Sequence, residues 1–302
     1  MNRILVIRGG AIGDFILTLP AIKLLRDRFP KAHIEILGHK HIAALTEKRF
    51  YAEAIHSIES ASLAKFFAKN SELPPGLVDY FASFDLILSY LYDPGRIFEA
   101  NLKRSSVGTF VTGPSKLDNS EHAAFQLARP LESLGLFLRD PAARLFPNDA
   151  DRDLVRPFLG EDQKLIALHP GSGSETKNWS IENWTKLGET LFSRGHGLLI
   201  VAGEADTERI RKLKSSWHGK PFQVAENLPL PQLAALLERR FFIGHDSGIS
   251  HIAAAAGARC ILLFGWTDPE IWAPANEKVT VLRAPGGKMR LLTVEIVIAR
   301  IR

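Results

Sequence analysis

Four short segments hold most of the residue types that can bind or move charge. The first, Arg8-Gly9-Gly10-Ala11-Ile12-Gly13-Asp14, places glycines and a carboxylate around one turn. Glycines let backbone approach a ligand. Asp14 in a first helical turn can take a proton, or can do no more than favour the positive helix end. Arg8 stands where the first glycine of G-x-G-x-x-G would be needed, so a dinucleotide fingerprint is not supported. The second segment, His169-Pro170-Gly171-Ser172-Gly173-Ser174-Glu175-Thr176-Lys177, joins hydroxyls, glycines and one lysine. Those are the materials of a phosphate cradle and equally of a solvated loop. Its lysine does not follow a glycine as in a Walker loop. The third, Gly244-His245-Asp246-Ser247-Gly248-Ile249-Ser250-His251, runs into Ile252-Ala253-Ala254-Ala255-Ala256. Asp246 or Ser247 caps that helix, whose free N–H groups form an anion site. The fourth, Gly265-Trp266-Thr267-Asp268-Pro269, reads as a polar turn with an aromatic beside it, or as a further ligand loop.

Rival chemistries are weaker. His245, Asp246, Ser247 and His251 suggest a hydrolase triad or a metal cluster, but adjacent residues rarely aim their side chains together. No G-x-S-x-G elbow surrounds Ser247. The D-x-D patterns Asp149-Ala150-Asp151 and Asp151-Arg152-Asp153 lie in a mixed-charge run that reads as a solvated helix start. The single cysteine, Cys260, excludes an intrachain disulfide and a thiolate zinc site. Beside Ile261-Leu262-Leu263 it reads as a buried strand thiol.

To act together, the four segments must be held at the ends of regular elements. β-branched runs predict strands over 3–8, 32–38, 54–58, 84–89, 105–111, 164–168, 197–202, 222–225, 241–245, 260–264 and 278–282. Between many of them apolar residues recur at helical spacing, as in Ile12, Phe15, Ile16, Leu19, Ile22, Leu25 and Phe29. Pro20 inside that stretch predicts a kink or restart near residues 16–20. Such alternation predicts parallel sheets covered on both faces, with ligands at the carboxyl ends of the strands. A chain of 302 residues suggests two domains. The proline-rich, charged stretch near 147–163 is the expected boundary. The polar stretches 69–76 and 112–121 read as surface loops.

Composition sets further bounds. With 46% apolar and 24% charged residues the chain is globular, not fibrous or largely disordered. A net charge of +5 suits an anionic small molecule or a membrane surface and is too small to argue for nucleic acid. The apolar opening Ile4-Leu5-Val6-Ile7 is too short for a signal-peptide core. The stretch 252–266 is broken by Gly257, Arg259 and Gly265, which leaves no expected bilayer span. A reducing cytoplasm is the expected location.

Taken in order, Arg8-Gly9-Gly10-Ala11-Ile12-Gly13-Asp14, Leu19-Pro20-Ala21, His169-Pro170-Gly171 with Lys177-Asn178-Trp179, and Asp246-Ser247-Gly248-Ile249-Ser250-His251 resemble glycosyltransferase family 9. These are the ADP-heptose:lipopolysaccharide heptosyltransferases. The resemblance implies an α/β fold of GT-B architecture: two facing Rossmann-like domains with parallel sheets and a C-terminal crossover helix. An acceptor domain would span 1–155 and a donor domain 156–288, with 289–302 packing back on the first. By motif position Asp14 would be the catalytic base and Lys177 the ligand of the donor phosphates. Asp246 would hold the donor sugar beside the helix start at Ser247 and Gly248. Ser172 and Ser174 fall near phosphate-binding positions, Glu204 near a ribose position, and Thr267 in the donor loop. On the acceptor side Gly10, Arg96, Lys103 and Arg104 are candidates, although solvated surface charge is the commoner role of such cations. The family usually carries Gly-Pro-Thr where this chain has Gly265-Trp266-Thr267.

The implied reaction is an inverting, metal-independent transfer of heptose from ADP-heptose to the inner core of lipopolysaccharide. It needs no cofactor beyond the sugar nucleotide. The partners would be that donor and a lipid-linked oligosaccharide, with peripheral contact on the cytoplasmic face of the inner membrane. The alternatives are a related sugar-nucleotide enzyme, a protein heptosyltransferase, or a nucleotide-sugar binding protein without catalysis. A dehydrogenase is disfavoured by the absent fingerprint.

Overall fold

All eleven predicted strands form, in a computed structural model that describes residues 1–158 and 165–301. The chain divides into two units, Met1–Pro141 and Ala142–Arg302. The break thus falls ahead of the expected boundary near 147–163, of which residues 159–163 lie outside the described residues. Lys164, expected to begin the sixth strand, also lies outside them.

The first unit is built on β1 (Arg3–Arg8), β2 (His33–Gly38), β3 (Ala54–Ser57), β4 (Leu86–Ser89) and β5 (Thr109–Thr112). They are ordered β3-β2-β1-β4-β5 and every pair is parallel. Ile4-Leu5-Val6-Ile7 is fully buried because β1 is central, which is why it reads as a continuous apolar run. The second unit carries β6 (Leu165–His169), β7 (Gly197–Ala202), β8 (Phe222–Glu226), β9 (Phe241–His245), β10 (Arg259–Phe264) and β11 (Val279–Arg283). Their order is β11-β10-β9-β6-β7-β8, again all parallel. Chain order reverses between β1 and β4 and between β6 and β9. Open α/β sheets bind ligands beyond the carboxyl ends of strands at such points.

Three expectations need correction. The helix Ile12–Arg28 is a single helix across Pro20. Phe15 to Ile22 are all buried, and that packing outweighs the one backbone bond proline removes. Strand β5 starts at Thr109, not 105. Ser105 closes the preceding helix Ile97–Arg104, Ser106 adopts φ +53°, and the chain turns before it can pair with β4. Third, the C-terminal segment packs on the second unit. Its helix Val294–Ile298 follows Leu292, whose carbonyl accepts the Trp179 indole N–H at 2.7 Å. Leu292, Val294 and Val297 share a core with Trp179 and Trp184, so the apolar face of this segment is satisfied there. Arg302 lies outside the described residues.

Cys260 is buried in β10, and burial pushes its thiol up to about 12. Among the described residues no helix is long and apolar enough to cross a membrane.

Candidate active site

In the second unit, three side chains from three loops converge. Lys177 follows β6, Asp246 follows β9 and Thr267 follows β10. Lys177 Nζ lies 2.6 Å from Asp246 Oδ2, and the Thr267 hydroxyl donates to the same oxygen at 2.7 Å. The Asp246 side chain is 8% exposed and that of Lys177 24%, so the ammonium is the part open to a ligand. Next to them Ser247 caps the helix Gly248–Ala255, its Oγ accepting from Ser250 N at 3.4 Å. The sequence therefore builds, at the second switch point, a partly exposed cation beside a helix N-terminus. Both favour an anion.

The loop after β6 is held by its own hydroxyls. Ser172 Oγ donates to Ser174 O at 2.8 Å, and Ser174 Oγ shares a hydrogen with Thr176 Oγ1 at 2.9 Å. Beneath it lies a buried polar frame. Trp179 N donates to His245 Nε2 at 2.8 Å, which leaves His245 Nδ1 to donate to Gly171 O at 3.1 Å. Burial pulls the His245 imidazole down to about 3, so it is a neutral strut. Its side chain turns to Gly171 and Trp179 while Asp246 turns to Lys177. Adjacent side chains diverge here, as the triad reading could not survive. His169 Nε2 lies 3.5 Å from Asp206 Oδ2, and Gly203 N donates to that oxygen at 2.9 Å. Burial would raise the Asp206 carboxyl, but the bonds from His169 and Gly203 hold it below the usual carboxylate range. Gly171 must be glycine, because a Cβ there would sit 1.6 Å from Asp206 Oδ1. Sequence reasoning missed Asp206 and took its neighbour Glu204, which is exposed. No local pattern links position 206 to 171.

In the first unit the loop after β1 presents Asp14. Its Oδ2 accepts from Ala11 N at 3.2 Å, and its Oδ1 lies 3.9 Å from Arg8 Nη2. The carboxylate is 38% exposed while the Arg8 side chain is 7% exposed. Arg8 also faces the Tyr90 ring at 5.5 Å. Burial draws the Arg8 guanidinium down, and Asp14 opposes that shift. Gly10 has φ +93°, and a Cβ there would approach Asp14 Oδ2 to 3.1 Å. Asp14 thus holds the helix start with one oxygen and leaves the other less committed. Beyond β4 and β5 lies a pocket of about 160 Å³ lined by Ser89, Tyr92, Asp93, Arg96 and Thr112, among others. Arg96 lines it, with its side chain 80% exposed. Lys103 instead pairs with Glu99 at 2.7 Å, and Arg104 bonds Ser71 O at 3.2 Å and Asn101 Oδ1 at 3.0 Å. Among the described residues no three His, Cys, Asp or Glu side chains are grouped to hold a metal ion.

Two open parallel sheets in Rossmann-like order, the second with a cation and a helix start at its switch point, match the GT-B-type α/β fold of solved heptosyltransferases. The family model "Glycosyltransferase family 9 (heptosyltransferase)" matches residues 122–295, more than half of the chain, and the chain belongs to that family. It is 25% identical to lipopolysaccharide heptosyltransferase 3 of Escherichia coli K12, over 88% of this chain and 83% of that one. With lipopolysaccharide heptosyltransferase 1 of Escherichia coli O18:K1:H7 it shares 29% identity, over 98% and 95%. Its fold is similar to a family 9 glycosyltransferase from Veillonella parvula, with TM-score 0.82, 19% identity, and coverage of 99% and 95%. It is also similar to Escherichia coli heptosyltransferase WaaC with ADP, at TM-score 0.77, 18% identity, and coverage of 99% and 98%.

Proposed function

We propose that this protein transfers heptose from ADP-heptose to the inner core of a lipid-linked lipopolysaccharide acceptor, with inversion and without a metal. The observation that carries the reading is the Lys177–Asp246–Thr267 cluster beside the capped start of Gly248–Ala255. In this reading the donor lies across the carboxyl ends of the second sheet. Its ribose falls toward Glu204 after β7, and its diphosphate over Lys177 and the N–H groups at Ser247 and Gly248. Its sugar lies toward Asp246 and Thr267. Ser172 and Ser174 shape the phosphate loop. Lipopolysaccharide stands in the names of the relatives, and in this reading the work falls at the cytoplasmic face of the inner membrane.

Asp14 is the base. It takes the proton from an acceptor hydroxyl as that oxygen attacks the anomeric carbon, and the bond to the diphosphate breaks on the opposite face. The bonding pair leaves with ADP, where the Lys177 ammonium and the helix N-terminus meet the growing charge. That is the role a divalent ion would otherwise fill. Gly10 lets backbone come close at the base, and Arg96 meets an anionic acceptor from the pocket beyond β4 and β5. Of the other two candidates, Lys103 is neutralised by Glu99, and Arg104 adds positive charge at the end of the helix that follows Arg96.

The test is a transfer assay with ADP-heptose and heptose-deficient lipopolysaccharide in EDTA, with the anomeric configuration of the product read by NMR. Transfer in EDTA with inverted configuration is expected. Loss of turnover that magnesium restores would overturn the metal-free step. Retention would overturn the single displacement, and transfer only to protein would favour a protein heptosyltransferase.

A further inference from the structure

Three of the five tryptophans, Trp179, Trp184 and Trp217, are fully buried, whereas Trp266 is 62% exposed. An indole gains much from burial, so one left open at the mouth of a polar site invites a reason. This one is not adrift. Its Nε1–H donates to Thr176 Oγ1 at 3.3 Å, and Lys177 Nζ stands 5.6 Å from its ring centroid, within cation–π range. The following residue, Thr267, donates to Asp246. The ring is therefore tied to the loop after β6 and adjoins both the ammonium and the partner of the buried carboxylate.

Sheet order says which part of a donor would meet it. Along β7-β6-β9-β10 the candidate groups run from Glu204 after β7, through Lys177 after β6 and Asp246 after β9, to Thr267 after β10. Strands lie roughly 4.8 Å apart, so three steps span roughly 14 Å, the scale of an extended sugar nucleotide. Trp266 sits at the β10 end, opposite the ribose candidate.

We infer that Trp266 is a specificity-determining contact for the transferred sugar: its exposed indole stacks on the C–H face of the pyranose while Lys177 holds the diphosphate. The inference rests on the donor reading above. A smaller aliphatic residue at this position would offer a smaller face and no N–H. The indole adds both an aromatic platform and a tether to Thr176.

The test compares ADP with ADP-heptose by calorimetry on the full chain. ADP has no transferred sugar, so the ratio of the two affinities isolates the contact. Trp266→Ala should lower that ratio by about 3–10-fold, the size of one aromatic contact. Trp266→Phe, which keeps a ring but loses the N–H, should restore most of it. Quenching of tryptophan emission by ADP-heptose should also shrink in Trp266→Phe, which leaves the partly buried Trp272 and three fully buried, shielded tryptophans. An unchanged ratio in folded Trp266→Ala overturns the inference. Equal weakening of both ligands also overturns it, and assigns Trp266 to Lys177 alone. If wild-type protein binds neither ligand, the donor reading itself fails, and this inference with it.

Discussion

Asp246→Asn separates two roles that share one oxygen. In the free protein Asp246 Oδ2 holds the Lys177 ammonium at 2.6 Å, and under the proposed reading a donor diphosphate would compete for that cation. Two unit charges at this distance attract by about 6 kcal/mol at an effective dielectric of 20, before desolvation is counted. Net charge-assisted hydrogen bonds are worth about 1.5–3 kcal/mol. Lys177 is partly exposed, which places this pair toward the low end. Asparagine keeps the oxygen that accepts from Thr267, so the site should hold its shape. Removing the competitor, and a negative charge next to a polyanion, should return about 1 kcal/mol to the ligand. ADP is thus expected to bind the variant about 3–10-fold tighter. ADP-heptose should not share this gain, because its sugar loses the carboxylate, and turnover should fall. Calorimetry at fixed ionic strength checks the pair of affinities, since screening alters both. Weaker ADP binding by a folded Asp246→Asn protein would refute the reasoning and make Asp246 the residue that aims Lys177.

Gly171→Ala should be strongly destabilising, by about 2 kcal/mol or more, because its Cβ would collide with a buried carboxylate already engaged by His169 and Gly203. A melting temperature equal to wild type would contradict that packing. His245 sets a pH dependence of stability. Its folded value is pushed down to about 3 from an ordinary 6.5, so the unfolded chain binds a proton in that interval and the folded chain does not. The stability this neutral histidine supports is present above about pH 6.5 and falls as pH drops toward 3. His245→Gln should flatten that part of a melting-temperature profile, and an unchanged slope would remove His245 as its source.

Much of the fold could be read from the chain because parallel strands buried on both faces appear as continuous apolar runs. Ile4-Leu5-Val6-Ile7 and Cys260-Ile261-Leu262-Leu263 are two such runs. Pro20 misled because its local rule was outweighed by burial on every side of the helix. Residues 105–108 misled because Ser106 leaves the extended region, which apolar patterning does not register. Lys177, Asp246 and Thr267 stood out as polar residues following strands, and the structure brings them together. Asp206 did not stand out: its role comes from Gly171, thirty-five positions away, and from His169. The C-terminal segment was assigned to the wrong unit because no sequence pattern shows that Trp179 Nε1 needs the Leu292 carbonyl.

The central claim is that Asp14 moves a proton, and one variant tests it most directly. Asp14→Asn keeps an oxygen to accept from Ala11 N and loses only charge and basicity. Steady-state kinetics on the purified variant should show kcat down by about 10²–10⁴-fold, the range for a general base. Affinity for ADP should change little, since in the proposed reading the diphosphate is held by Lys177 and the helix start and not by Asp14. The contrary result is a near-normal kcat in a folded protein that has lost only about 0.3–1 kcal/mol of stability, which would make Asp14 a helix-dipole residue and nothing more.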